Sequence, residues 1–574
     1  MFLSLLTRFI VIFCIASIPT ACFAHFLKRK GWLPAHSLLI ASLSLYSCLA
    51  YLSFWACFEG RRTGIAFILF IYIIAAGYLI KAGKRLKELF ISNREFTLPL
   101  LFMFLVGICY TSILCLYTPP KGDPCDLAAH RFNDLPIDNS LPVIFADRLE
   151  EGARSRYLFG NGPNDWLSSD RPPLQVGIIL TTRVLFRHHG LSRDYDAFGA
   201  SLWFQLFWIP ALWALLRTLG ATVRQTSIVI AITLCTGFSL LYSLYTWPKF
   251  GAAAFVLGAI SILLSKSFPT NVHRWSFAAM MLAMGNLSHG GTAFALLGLA
   301  LIIFIPQYRP SVPALTCAII VFATLNGPWI AYQKFFDPPG NRLLKMHLAG
   351  VNDVDSRGLM TTLADRYRSV GWREACNYKL ANFSRFIEGD FTTVYNFSPE
   401  RNGARSRRDQ EFFFLLRALS FGNLALLFSP IAIYLLKRRT GTVLIDTYKT
   451  MMIFGWIAAT LIIWCILMFM PGSCIIHQGS LAPVLAVFSI AMLLLLVHSR
   501  TGFVIVSLLQ IASFLTTWMP ANPSVQTPLS LSAAMLSAVC TGLLLWIVLA
   551  IKNDAADLTS SPCQKTFLSP VPPA

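Results

Sequence analysis

Long apolar runs separated by short basic turns dominate this chain. Leu98–Tyr117, Met451–Met470 and Leu529–Ile551 show neither the two-residue alternation of a strand nor the stripe of a surface helix. Each is about long enough to cross a hydrocarbon core of roughly 30 Å. In lipid every backbone amide must be satisfied within its own segment, so the runs are predicted to be helices. Hydropathy predicts about fifteen spans. They start near Phe2, Ala35, Ile65, Leu98, Ala197, Ser227, Phe250, Trp275, Gly291, Pro313, Phe412, Thr450, Leu481, Gly502 and Leu529. The expected fold is an all-α polytopic membrane bundle of about 13–16 transmembrane helices. Two long polar segments interrupt the pattern. The chain is therefore divided into N-terminal spans (1–117), a first loop (118–196), a transmembrane core (197–332), a second loop (333–410), C-terminal spans (411–551) and a tail (552–574) expected to be disordered. Pro172–Arg187 is apolar but short and is interrupted by Arg183. It reads either as an interfacial segment or as a short tilted span, and the second reading would invert the downstream topology unless another weak span is lost.

Charge orients the spans. Basic groups at Lys28-Arg29-Lys30, Lys84-Arg85-Leu86-Lys87, Arg217 with Arg224, Lys266 with His273-Arg274, Lys437-Arg438-Arg439 and Arg500 fall on alternate loops. Placing all six in the cytoplasm satisfies the positive-inside rule, with the N-terminus outside and the tail inside. Arg61-Arg62 is the exception. Both long loops, and the turns around Thr246–Lys249, Ser288–Gly291 and Pro471–Gly479, are then expected on the non-cytoplasmic face. Met1–Ala24 has the outline of a signal peptide, with Arg8 as its basic region. A basic cluster follows it and no clean cleavage site is present, so it reads as a retained helix.

Composition agrees: 56% of the 574 residues are hydrophobic and only 13% charged, against roughly a quarter charged in a soluble domain. The formal charge of +20 belongs to the loop pattern just described. No nucleic-acid motif accompanies it, so no nucleic-acid partner is expected. Most of the 14 cysteines sit in apolar runs and read as small hydrophobes. Cys125, Cys376 and Cys474 fall in the external segments, where a disulfide among them is chemically allowed. Asn382-Phe-Ser384 and Asn396-Phe-Ser398 match the N-glycosylation pattern.

The first loop interleaves carboxylates and arginines: Asp134, Asp138, Asp147-Arg148, Glu150-Glu151, Asp165 and Asp170-Arg171. Taken singly, these read as solvated charges in weak pairs worth about 0–1 kcal/mol each. Taken together at a membrane surface, they offer a different chemistry. A carboxylate there can act as general base on an acceptor hydroxyl. A neighbouring arginine can hold a phosphate leaving group through bidentate hydrogen bonds.

This segment resembles the polyprenol-phosphate-sugar-dependent glycosyltransferases of the GT-C type, such as the protein O-mannosyltransferases and aminoarabinose transferases. The resemblance rests on Asp138, then Phe145-Ala146 to Gly152, then Arg171-Pro172-Pro173-Leu174, with Leu185-Phe186 to Gly190 and Arg217-Thr-Leu-Gly220 beyond. It covers Asp134 to about Ser265, less than half the chain. It implies a GT-C-like bundle, a polyprenyl-phosphate-linked sugar as donor, and a place in a bacterial inner membrane. It puts the catalytic carboxylate at Asp138, with Asp134 next. The family's acidic pair is here Asp138-Asn139. Three helices precede the one leading into this loop, where the family has none.

Arg171 and Lys249 are expected to bind the donor phosphate. His289 lies in a glycine-bearing turn and reads either as a ligand to substrate or as a structural histidine. Arg342 and Lys345, in the second loop, are expected to contact the acceptor. No cofactor is called for; loop carboxylates of this kind can take a divalent cation, but no ligand spacing indicates one. Walker, GxGxxG, HExxH and GxSxG motifs are missing, which argues against a transport ATPase and a nucleotide-sugar donor. Three alternatives stay open: a transporter or flippase of a lipid-linked or anionic solute, a polysaccharide ligase or polymerase resting on His347 and the second loop's arginines, and an inactive assembly subunit.

Overall fold

The computed structural model describes residues 1–117, 122–132, 134–153, 157–159, 165–185, 191–265, 268–337, 341–353, 356–386, 401–440, 445–472, 481–521 and 528–551. Among these, regular structure is helical throughout, apart from one isolated antiparallel bridge between Tyr157 and Leu167. The N-terminal part forms α1 (Phe2–Lys30), α2 (Leu38–Glu59), α3 (Arg61–Ala82), α4 (Lys84–Ser92) and α5 (Arg94–Leu114). The first loop is folded into α6 (Pro124–His130), α7 (Leu141–Glu150) and α8 (Leu174–Arg183). The central part runs through α9 (Leu191–Gln205), α10 (Trp208–Thr218), α11 (Val223–Thr233), α12 (Gly237–Leu244), α13 (Lys249–Leu264), α14 (Asn271–Ser288), α15 (Thr292–Leu299) and α16 (Val312–Ala331). The second loop holds α17 (Arg342–Ala349), α18 (Leu359–Val370), α19 (Trp372–Ser384) and α20 (Arg401–Phe413). After the short α21 (Leu415–Ala418) come α22 (Gly422–Thr440), α23 (Thr447–Leu467), α24 (Ala482–His498), α25 (Arg500–Trp518) and α26 (Leu531–Ala550).

Nine stretches among the described residues are long and apolar enough to cross a membrane: α1, α2, α3, α5, α9 with α10, α16, α23, α25 and α26. The pair α11 and α12 makes a tenth if its 74° bend lies within one broken span. The chain is thus a multi-pass helical membrane protein, with fewer full-length spans than the sequence predicts. The runs expected at Phe250 and Leu481 are the shorter helices α13 and α24, of 16 and 17 residues. Sixteen residues rise only about 24 Å. Their side chains are almost entirely buried, so the bundle rather than lipid surrounds them. The run expected from Phe412 instead starts a helix at Gly422, after the break around Ser420.

Burial separates inside from outside. The α8, α9, α10, α13 and α24 helices form the interior, whereas α3, α16 and α26 keep apolar side chains such as Phe70, Ile73, Ile319, Ile320, Leu545 and Trp546 exposed. An exposed apolar wall of this extent is what a lipid-facing surface needs. The α8 helix settles the ambiguity at Pro172–Arg187. It is ten residues long and buried throughout, too short to span. It presses on α2 at Gly177, where a Cβ would run into the Ala50 carbonyl oxygen.

The two ends of the bundle gather different segments. At one end Arg217 pairs with Glu95 at 2.8 Å, Lys449 Nζ donates to the Thr218 carbonyl at 3.0 Å, and the Trp32 and His273 rings lie 5.2 Å apart. At the other end the first loop, the Trp247 turn, the His289 turn and the α16–α17 connection converge. Three arginines close that end of α25. Arg131 donates to the carbonyls of Met519 and Pro520, Arg407 to Thr516, and Arg408 to Thr517 and Pro520. They satisfy carbonyls that a helix C-terminus leaves open.

Cys125 and Cys376 are free thiols, and Cys474 lies outside the described residues, so no disulfide joins the first two. Asn382 is buried and donates to the Met468 carbonyl at 3.0 Å, which removes it as a glycosylation acceptor; Asn396 lies outside the described residues. The expected tail, 552–574, also lies outside them.

Candidate functional site

A cavity of about 580 Å³ opens where these segments meet. The first loop supplies Asp138, Trp166 and Ser169–Pro172, and the turns supply Trp247 and His289–Gly291. The second loop supplies Gln333, Asn341 and His347, with Leu467 and Met468 from the end of α23. Ile330, Leu297 and Leu344 also line it and are half exposed, so one side of the opening is apolar.

Asp138 sits in a 3-10 turn, Ile137–Asn139, between α6 and α7. The turn is tied down on both sides. Asn139 is buried and its amide donates to the Cys125 carbonyl at 2.8 Å, while the Tyr245 hydroxyl donates to the Pro136 carbonyl. A carboxylate at 139 would have no N–H to give and would face a carbonyl oxygen. The Asp138 carboxylate accepts from Arg171 Nη2 at 3.0 Å.

Arg171 follows the 3-10 turn Ser168–Asp170 and precedes the two prolines that open α8. Its guanidinium lies 4.7 Å from the Trp166 ring centroid and 5.3 Å from that of Trp247. Its Nε is buried without a protein partner. Burial lowers its pKa from the ordinary arginine value, an effect that Asp138 and Asp170 oppose.

The base of the first loop is braced against the second. Asp170 accepts from the Leu167 amide at 2.9 Å and from Arg342, whose Nη1 donates to the Asp165 carbonyl at 3.0 Å. Burial pushes the Asp170 pKa up, and Arg342 pulls it back. A buried pair of this kind breaks at a high cost if one partner is removed. A π-helical turn, Tyr332–Phe336, continues α16 and, with Asp337 just beyond it, adds three further ties. Gln333 donates to the Ser169 carbonyl at 3.1 Å. The Tyr332 hydroxyl meets Ser168 at 2.6 Å, and Asp337 accepts from the Ser169 amide at 3.0 Å.

Trp247 is presented by a strained turn. Thr246 holds a φ of 52°, a conformation few non-glycine residues adopt. Gln175 of α8 secures it by donating to the Thr246 carbonyl at 2.7 Å and to Ser201 at 2.9 Å. The turn feeds directly into α13, so Lys249 is fully buried with its Nζ 3.8 Å from the Trp247 ring centroid. The His289 ring stands 6.0 Å from Trp247, and its Nδ1 accepts from the Gly291 amide at 3.0 Å. His347 of α17 lines the cavity. Burial, then Arg171 and Lys249, lower its pKa to about 4, so it is neutral at physiological pH.

The expected residues are therefore divided. Asp138, Arg171 and His289 line one cavity. Lys249 stands behind Trp247, and Arg342 and Lys345 are buried beneath the α17 face rather than on the cavity wall. Asp134 stands apart, on the exterior, paired with the exposed Arg405 and 3.5 Å from His130. Trp166, Trp247 and Gln333 were not singled out from sequence. The pairing of an arginine or lysine with a nearby Trp in Trp166…Arg171 and Trp247-Pro-Lys249 is the one signal that points to two of them. Among the described residues no three His, Cys, Asp or Glu side chains are grouped as metal ligands. No protein-family model, curated protein or solved structure matches this chain.

Proposed function

We propose that this protein is a membrane glycosyltransferase, moving a sugar from a polyprenyl-phosphate donor to an acceptor on the non-cytoplasmic face. The observation that carries the reading is Asp138 and Arg171, hydrogen-bonded to each other at the wall of one cavity whose other side is apolar. An acidic group beside a desolvated arginine matches the two demands of the reaction. The acceptor oxygen attacks the anomeric carbon and the bond from that carbon to the phosphate oxygen breaks, with inversion. The acceptor proton passes to the Asp138 carboxylate, and the polyprenyl phosphate leaves with its charge held by Arg171. The apolar opening at Leu297, Ile330 and Leu344 suits a donor whose chain stays in lipid.

The test is sugar transfer by the purified, lipid-reconstituted protein from a polyprenyl-phosphate sugar. Asp138→Asn, expressed and folded normally, is expected to lose roughly 10²–10⁴-fold in rate. Asp134→Asn is expected to keep it, because that carboxylate lies outside the cavity. Full activity in Asp138→Asn would sink the assignment.

One observation favours a second assignment of the base. His347 is neutral and lines the same cavity, as a polysaccharide ligase or polymerase working through the second loop would require. In that case His347→Gln abolishes transfer and Asp138→Asn only weakens it.

A further inference from the structure

A basic surface forms at the end of the bundle remote from the cavity, where α1, α3, α4 and α5 meet. Lys28, Arg29 and Lys30 close α1, Lys81 lies in the last turn of α3, and Arg85 and Lys87 stand on α4. All of these side chains are exposed. Basic residues need only occupy a loop to orient the spans beside it. Here they come from two loops with α2 and α3 between them, and the fold brings them to one place. The His25 ring of α1 meets the Tyr78 hydroxyl of α3 at 2.7 Å. Lys28, Arg29 and Arg85 all act electrostatically on that ring, and Glu88 is the acid that acts with them. Glu95, at the start of α5, is taken by Arg217 and Trp213.

The α4 helix is held as a fixed shelf. Leu89 is buried, the Phe90 ring lies 5.5 Å from that of Phe96 on α5, and Thr97 Oγ1 donates to the Phe90 carbonyl at 2.6 Å. Aromatic rings mark its depth. Phe26 and Trp32 stand edge to face at 5.7 Å, and Tyr78 is half-buried beside them in sequence order along α3; such rings gather at a membrane–water boundary. Below the shelf α3 turns Ile73, Ile74 and Ile80 outward. Positive charge at headgroup level thus adjoins an apolar ridge that a lipid chain can follow.

We propose that this surface binds an anionic phospholipid of the adjoining leaflet, with its phosphate among Lys28, Arg29 and Arg85 and an acyl chain along α3. Charge and depth together name the occupant. Free phosphate matches the charge but makes no use of the ridge, and a zwitterionic lipid matches the ridge but carries its own ammonium. The site is separate from the cavity, so it stands or falls without the glycosyltransferase reading.

The experiment places the full chain in phosphatidylcholine nanodiscs carrying a little phosphatidylglycerol with a photoactivatable headgroup, and maps the crosslinked peptides by mass spectrometry. Labelling is expected on the segments 28–30 and 85–87, well above that from a photoactivatable phosphatidylcholine of the same chain length. Unlabelled phosphatidylglycerol should suppress it, and added salt should weaken it. In Lys28→Gln with Arg85→Gln the apparent affinity is expected to fall about tenfold or more. Lys28→Arg with Arg85→Lys, which keeps the charge, should retain it. So should Arg61→Gln with Arg62→Gln, which removes the same charge at the far end of α3. Equal labelling by the two lipids, or full affinity in Lys28→Gln with Arg85→Gln, would overturn the site. Displacement by inorganic phosphate would overturn the lipid as its occupant. If the neutralised variant fails to fold, the comparison of the two lipids on the wild type still decides.

Discussion

Desolvation acts on two ionisable side chains, Glu411 and His347, with opposite effects. Glu411 is buried, accepts from Trp518 Nε1 at 2.9 Å, and lies where a Cβ on Gly237 would clash with it. Burial pushes its pKa from 4.5 up to about 8, although Trp518, Arg407 and Arg408 favour the charged form. The folded state therefore holds a proton that the unfolded state releases above its own pKa. This stability is fully present at low pH and is lost as pH rises through about 8. His347 works the other way. Its folded pKa of about 4 lies below the ordinary 6.5, so stability is lost as pH falls from 6.5 towards 4. Thermal melts of the detergent-solubilised protein across pH are expected to show both limbs. Glu411→Gln should flatten the alkaline limb alone and His347→Gln the acid limb alone; unchanged slopes would contradict the assignments. His347 is a candidate from sequence, but Glu411 does not announce itself there. Glu411 reads as one charge among the arginines of 401–408, and only the fold shows that it is turned inward.

The α8 helix is the element on which the site depends. It starts at the two prolines after Arg171, carries the Gln175 that secures Thr246, and ends at Arg183, which pairs with Asp147 at 2.7 Å and Glu150 at 2.8 Å on α7. Its depth is set by Gly177 against the α2 backbone. Gly177→Ala places a methyl group against a carbonyl that no side-chain rotation can move. A loss of about 1–3 kcal/mol in stability is expected, the usual cost of overpacking, and with it a weaker hold on Thr246 and Trp247. Chemical denaturation of the reconstituted protein checks the first part. Unchanged stability would mean that α8 has room the structure does not show. Sequence predicted an apolar segment here and left its fate open, because ten buried residues look alike whether they face lipid or protein. The helical class and the nine longest spans follow directly from the apolar runs, since lipid leaves the backbone no other way to satisfy its hydrogen bonds. The shorter buried helices α13 and α24 do not, because hydropathy cannot tell a protein interior from a bilayer.

At the scale of the whole molecule, the charge pattern expects the first loop, the Trp247 and His289 turns and the second loop on one face; residues from all of them line one cavity. It could not rank the residues within that group. Asp134 and Asp138 are four positions apart in similar sequence, yet one pairs with an exposed arginine and the other with an arginine largely shielded from solvent. That distinction depends on Asn139 and Tyr245 turning the 136–139 segment inward, a long-range effect with no local signature. The central claim is that this cavity holds a lipid-linked phosphate beside Asp138. Its most direct test is a cryo-EM map of the protein in nanodiscs with polyprenyl phosphate bound. The account predicts the phosphate within hydrogen-bonding distance of Arg171, with the prenyl chain leaving past Leu297 and Ile330 into lipid. A phosphate bound elsewhere, or a solute path running through the bilayer with Asp138 facing bulk solvent, would contradict it and favour a transporter.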